Sequence, residues 1–244
     1  MVTQYKLTLV PDCPCRSRAE WGYCLYSGLL QLAPPDFGSK VHRDGITPVS
    51  QFVAENQGEI IWTVNLLGEE NERELSPCLE QAEGFRLEKD HLQLQVVHQA
   101  HRHIADVGEL LGQALNCSGI HRLNFQTPTA FKSRGRYLNM PSSRLILQNL
   151  IHKWNGCITE CPIEDASGDG MESMAEGLVC REFRLHSCRY RMKGNAIPGF
   201  EGTLILENHL SGFHRQLADA LLLFAEYAGI GIKTTLGMGG VTRA

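Results

Sequence analysis

The segment Gly229-Ile-Gly-Ile-Lys-Thr-Thr-Leu-Gly-Met-Gly-Gly240 sets five glycines around one lysine and two threonines, directly after an amphipathic helical pattern. Glycines without Cβ atoms accept positive φ and let main-chain N–H groups approach an anion, while Lys233 adds charge and Thr234 and Thr235 add hydroxyl donors. The composition suits phosphate, but the order fits no nucleotide motif. Ile232 separates Gly231 from Lys233 where a Walker loop needs Gly-Lys-Ser/Thr in succession, and Thr234 stands where a dinucleotide fingerprint needs its third glycine. Ile230, Ile232, Leu236, Met238 and Val241 continue an apolar alternation through the stretch, as a chain entering and leaving a core would.

His42 lies in a polar loop pattern after the first helix, flanked by Lys40 and Arg43. A histidine titrating near neutrality can take a proton from a ribose 2′-OH or give one to a leaving 5′ oxygen, although a lone loop histidine is also an ordinary surface residue. Tyr26 shares an i, i+3, i+7 spacing with Tyr23 and Leu30, which turns it onto a face adjacent to the Trp21, Leu25, Leu29 stripe. Its phenol there is either the rim of a core or an acid-base group. Lys132, Arg134 and Arg136 stand beside Tyr137, an interleaving of cations and aromatic that suits an RNA face and equally a solvated loop. Arg181, Arg184, Arg189 and Arg191 fall on a long arm, where charge also blunts an ordinary edge hairpin. Cys13 and Cys15, Cys157 and Cys161, and His98, His101 and His103 offer ligands without the two-plus-two zinc spacing, so neither metal nor cofactor is expected.

The glycine-rich segment resembles the signature loop of the CRISPR-associated endoribonucleases that cut precursor CRISPR RNA within its repeats, members of the RAMP superfamily. Pro198-Gly-Phe-Glu-Gly202 is similar to the family's Gly-Phe-x-Gly strand entry, and Thr127-Pro-Thr-Ala-Phe131 to its mid-chain segment, in the family's order. The resemblance spans nearly the whole chain once His42 is included. It implies an α+β architecture of tandem ferredoxin-like (RRM-like) units with a C-terminal glycine-rich loop, RNA binding and metal-independent cleavage. It implies further that His42 is the main acid-base residue, with Tyr26 at about the place where some members carry a tyrosine; Thr47 stands where some members carry a lysine, so neutralising the transition-state charge falls to Lys40, Arg43 or a residue further off. The expected RNA surface joins the basic residues Lys132, Arg134 and Arg136 to the loop positions Gly229, Gly231, Lys233, Thr234, Gly237 and Gly239.

These residues need elements to hold them. Tyr5–Val10 reads as a strand, and Trp21, Cys24, Leu25, Gly28, Leu29 and Leu32 as one helical stripe ended by Pro34-Pro35. Strands near Val49–Ala54 and Ile60–Leu67, a helical patch at Leu75–Ala82 and an alternating run His91–His98 complete a β-α-β-β-α-β order. The second half repeats it: strand Arg122–Gln126, helix Ser142–Trp154, a long arm Leu178–Arg191, strand Thr203–Leu206 and helix Phe213–Ala228. Ile104–Leu115 bridges two units, 1–118 and 119–244, and the acidic stretch Ile163–Gly177 reads as a solvated excursion.

At 244 residues and 43% hydrophobic content the chain can bury two cores, and no run of eighteen apolar residues marks a membrane span. With no leader pattern and nine cysteines, an odd number, a cytoplasmic protein with reduced thiols is expected. The net charge of −4 opposes phosphate binding on average, but the bases cluster apart from the acids, so one face can be basic. The expected partners are CRISPR repeat RNA and, by the same resemblance, other subunits of a CRISPR effector, with the chain itself a monomer or homodimer. Two rivals stand beside the nuclease. A non-cleaving RNA-binding effector subunit would share the fold and loop but have no use for a histidine at position 42, and a nucleotide-binding regulator would need the consensus that the loop lacks.

Overall fold

Strand β1 (Val2–Pro11) is buried at Val2–Tyr5 and again at Leu7–Leu9, with Lys6 alone exposed between them. Such near-continuous burial requires cover on both faces of the sheet, since a strand with one wet face alternates. The computed structural model, which describes residues 1–35, 37 and 48–243, supplies both covers. On one face Tyr5, Leu7 and Leu9 pack with Trp21, Leu25 and Leu29 of α1 (Trp21–Leu32) and with Leu75 and Leu79 of α2 (Glu69–Glu80). On the other face lies a helix from the far end of the chain, α6 (Gly212–Ala228).

The first sheet runs β2-β3-β1-β5-β4, all antiparallel, with β2 at Val49–Asn56, β3 at Glu59–Leu67, β4 at Gly84–Leu87 and β5 at Leu92–Ile104. The strand β4 is an addition to the expected order, a short hairpin partner of β5. Then α3 (Val107–Leu115), N-capped by the Asp106 side chain, lays Leu110 and Ala114 into the second core rather than the first. The second sheet runs β11-β6-β10-β9, also antiparallel, from β6 (Ile120–Thr129), β9 (Leu178–Met192), β10 (Asn195–Asn208) and β11 (Val241–Arg243). Two short strands, β7 (Phe131–Ser133) and β8 (Arg136–Leu138), form a separate hairpin. The described residues thus form a mixed α/β fold of two larger antiparallel sheets and one small hairpin.

Helix α4 (Ser143–Cys157) is capped by the Ser142 hydroxyl and buries Ile146, Leu147, Leu150 and Trp154. The stretch read as a solvated excursion instead contains α5 (Asp169–Gly177), which drives Met174 into the core. Asp165 starts it by accepting N–H bonds from Gly168 and Met171, and these bonds hold its carboxyl below the usual carboxylate range. β10 is far longer than Thr203–Leu206. Pro198, Gly199 and Gly202 punctuate its sequence, yet each glycine sits where backbone closes in: a Cβ on Gly202 would lie 2.1 Å from the Arg184 carbonyl oxygen, and on Gly199 2.9 Å from that of Thr129.

The two halves meet through polar groups that are nonetheless buried. Gln4 donates to Asn65 at 2.8 Å, Asn65 donates to the Ser50 hydroxyl at 2.9 Å, and Ser50 donates to the Tyr227 carbonyl of α6. Arg102 of β5 reaches Glu226 at 3.3 Å and lies over the Tyr227 ring. Among the described residues no helix is long and apolar enough to cross a membrane.

Candidate nucleic-acid interface

The three sequence segments that carry the resemblance converge in space. The glycine segment leaves α6 at Gly229 and turns through a 3₁₀ helix at Thr234–Leu236 into β11. Its floor is the end of β6: Ile232 N–H donates to Ala130, Gly239 N–H to Pro128 at 3.1 Å and Gly240 N–H to the Thr127 hydroxyl at 2.9 Å. Gly199 of β10 lies directly against Thr129 beneath it. Ile230, Met238 and Val241 are fully buried, so the apolar alternation in this stretch does enter a core.

Most of the glycines serve close packing within the protein. A Cβ on Gly231 would sit 2.3 Å from the Ala130 oxygen, on Gly239 2.1 Å from that of Ile230, and on Gly240 2.3 Å from Cγ of Phe52. Gly237 (φ 98°) packs against Ala19 and Gly22 of the first half. Gly229, Gly231 and Gly239 also take positive φ, which L side chains tolerate poorly. Two side chains from α4 brace the loop from below. Asn149 accepts from Gly231 N–H at 2.7 Å, and the Lys153 ammonium donates to the carbonyls of Ala228 and Gly229 and to the Thr234 hydroxyl at 2.9, 3.0 and 3.2 Å. Burial pushes this lysine down to about 7, whereas its three oxygen acceptors favour the charged form. Neither residue carries a sequence signal, since each is one of several polar positions on an amphipathic helix.

What the loop turns outward is correspondingly narrow. Lys233 holds a left-handed conformation (φ 56°), half-buried, and among the described residues its ammonium has no ion pair or hydrogen bond. Thr234, by contrast, is buried with its hydroxyl engaged by Lys153. The hydroxyl accepts in that bond, and its burial keeps it off the outward face of the loop.

The basic hairpin β7–β8 is exposed at Lys132, Arg134 and Arg136. Arg134 (φ 48°) and Gly135 (φ 79°) make its two-residue corner, the conformation that matches strand twist in tight hairpins. Lys132 and Tyr137 pair across the hairpin with the ammonium 5.9 Å from the ring centre, so cation and aromatic share one face. The arm of β9 and β10 exposes Arg181, Arg184, Arg189 and Arg191, and its tip docks on α1: Arg191 N–H donates to Glu20 at 3.2 Å and Lys193 lies over the Tyr23 ring at 5.4 Å.

Tyr26 is placed differently from expectation. It is 6% exposed and belongs to the first core with Trp21, Leu25 and Leu29, because α1 buries a stripe wide enough to include both Leu25 and its neighbour. Burial pushes its phenol up to about 12, and among the described residues its hydroxyl has no partner. Tyr23, on the wetter side of the same helix, is the tyrosine that faces the arm. His42 and Lys40 lie outside the described residues, as do Arg43 and Thr47. His101 and His103 share a face of β5 with Tyr5 and Thr3 as their partners, whereas His98 alternates to the opposite face. Among the described residues no group of His, Cys, Asp and Glu is arranged to hold a metal, and the nine cysteines are unpaired.

Comparison with known proteins places this geometry. Residues 123–241 match the family model described as CRISPR-associated endoribonuclease Cas6. A Cas6 endoribonuclease of Streptococcus thermophilus is 28% identical over 214 residues, 87% of each chain. One from Mycobacterium tuberculosis is 26% identical over 247 residues, 98% of this chain and 77% of the relative. Among solved structures, a Cas6 product complex superposes with a TM-score of 0.77 at 22% identity, over 100% of this chain and 99% of the other. A RAMP protein binding different RNA substrates superposes at 0.60 with 14% identity over 99% of both.

Proposed function

We propose that this chain is a CRISPR-associated Cas6 endoribonuclease and cuts CRISPR repeat RNA in the maturation of guide RNA. The observation that carries the reading is that the stretch matching the family, residues 123–241, contains the basic hairpin, the arginine arm and the glycine loop, and folds them around one floor. RNA lies along Lys132, Arg134 and Arg136 and along the outward face of the loop at Lys233. Gly229, Gly231, Gly237 and Gly239 act on it by shaping the backbone that presents this lysine, and Thr234 acts through its bond to Lys153.

The reaction proceeds by attack of the 2′-OH on the adjacent phosphate, leaving a 2′,3′-cyclic phosphate and a 5′-OH. His42 moves the proton, and Lys40 offsets charge on the phosphorane, since position 47 is a threonine. Tyr26, held neutral by burial, acts at most by donating a hydrogen bond that orients the 2′-OH. No step needs a metal. The fold beneath is a pair of ferredoxin-like units, 1–118 and 119–244, with α3 bridging onto the second. Support comes from the strand orders: leaving aside β4, each sheet runs second-third-first-fourth in its own half. Other CRISPR effector subunits and a cytoplasmic setting belong to the same reading.

The decisive experiment incubates the protein with the repeat RNAs of its host in the presence of chelator. Cleavage at one position is expected, with abolition by a 2′-deoxy substitution just upstream of the cut. Binding without cleavage would make the chain a non-cleaving RNA-binding subunit, and dependence on added metal would overturn the mechanism.

A further inference from the structure

One side chain closes the first part of the glycine loop, residues 229–234, into a bend. Lys153 of α4 donates to the carbonyls of Ala228 and Gly229, where the chain leaves α6, and to the Thr234 hydroxyl, where it enters the 3₁₀ turn. Ala228 ends α6 and Gly229 follows it, so both carbonyls lie at the negative end of the helix dipole, where a cation is favoured. An ammonium has three donors, and the three bonds use them all, which leaves none for a phosphate. Among the described residues Lys153 forms no ion pair, so its charge rests on these neutral oxygens. The bend needs such a closure. Gly229 (φ 65°), Gly231 (φ 87°) and Lys233 (φ 56°) alternate through it in positive φ, and a residue with a Cβ keeps that conformation only where its surroundings impose it. Asn149, one turn earlier on α4, holds the middle of the bend by accepting from Gly231 N–H at 2.7 Å. Beyond Thr234 other elements take over: Gln51 of β2 donates to the Thr235 carbonyl at 2.8 Å, and the buried Tyr190 hydroxyl of β9 donates to the Leu236 carbonyl. Lys233 therefore stands between two anchors that α4 supplies, at Gly231 and at Thr234.

We propose that Lys153 is a positioning residue for RNA binding: by closing the bend 229–234 from beneath, its ammonium holds Lys233 in the conformation that meets a phosphate. The inference rests on the reading of Lys233 as an RNA contact. A contact made from a loop that is already ordered loses nothing to ordering it, whereas an unclosed bend must be fixed when RNA binds, and affinity falls although no RNA contact has been deleted. A residue that acts only by placing Lys233 has nothing further to lose once Lys233 is gone. Its signature is therefore non-additivity with Lys233, which general support of the fold does not produce.

The test is a double-mutant cycle of Lys153→Met, which keeps an unbranched side chain and removes all three bonds, with Lys233→Ala. The Kd for a host repeat RNA made uncleavable by a 2′-deoxy substitution is measured across a salt series, with the melting temperature as control. Loss of one phosphate contact is worth about tenfold in affinity near 0.1 M salt, so Lys153→Met is expected to raise Kd by about three- to tenfold and to flatten the salt slope by up to about one contact. The double variant is expected to bind within about twofold of Lys233→Ala alone. Wild-type affinity in K153M overturns the proposal. So do losses that multiply, which would mark Lys153 as an RNA contact of its own or as general support. Should K153M melt below the assay temperature, Thr234→Val removes only the acceptor in the loop, keeps the methyl that packs on Gly229, and carries the same expectations. Failure of the underlying reading is separately visible, because wild-type affinity and salt slope in Lys233→Ala would refute it whatever K153M does.

Discussion

If His42 moves the proton in the cleavage step, His42→Ala loses rate and keeps affinity. General acid-base assistance is worth about 10²- to 10⁴-fold, whereas one loop histidine adds little to the grip on a polyanion many nucleotides long. A variant cleaving near the wild-type rate would move the chemistry elsewhere. Tyr26 makes a separate prediction through pH. Its phenol is raised by burial to about 12, so it stays protonated from pH 5 to 10 and cannot serve as a base there. Tyr26→Phe is therefore expected to leave the shape of the pH–rate profile unchanged over that range, whatever it does to the amplitude. Loss of a limb would show that the phenol titrates in the reaction. The sequence made His42 and Tyr26 visible by residue type alone; the burial of Tyr26 follows from how wide a stripe the first sheet accepts, and spacing does not encode that width.

Among the elements, the glycine loop and the basic hairpin separate two uses of the same residue. Gly237 has a positive φ and lies where a Cβ would meet the Ala19 oxygen at 2.9 Å and the Gly22 Cα at 3.1 Å, while Gly135 has a positive φ and open space around it. Gly135→Ala should cost about 1–2 kcal/mol, the left-handed penalty alone. Gly237→Ala adds overpacking of about 1–3 kcal/mol and presses the loop away from α1. Urea denaturation of both variants checks the difference, and equal losses would show that the loop does not wedge against the helix. The long periodic elements α1, α4 and α6 stand out in the sequence because their apolar faces repeat. By contrast β4 has four residues, α5 buries a single methionine within an acidic stretch, and β10 is broken by proline and glycines, so only pairing and packing make them elements.

For the whole molecule, the charge balance of −4 conceals a local basic surface, and salt dependence exposes it. Replacing Lys132, Arg134 and Arg136 together by alanine is expected to flatten the slope of log affinity against log salt by up to about two to three phosphate contacts, and Lys233→Ala by about one, with circular dichroism unchanged. A folded triple variant with the wild-type slope would take the hairpin off the RNA path. The sequence by itself carried the resemblance to a family, through three glycine- and threonine-bearing segments in order, and it determined the helices and strands whose periodicity is strong. Those signals are local: a glycine, a stripe or a loop histidine shows its chemistry within a few residues. The tertiary structure alone decided that these segments form one floor under the glycine loop and that the loop's glycines serve packing more than anion contact. It alone brought Asn149, Lys153, Tyr190 and Gln51 to the loop across separations of 46 to 184 residues. A hydrogen bond between residues so far apart leaves no periodicity in the chain, because its partners are chosen by where two sheets and a helix come to rest.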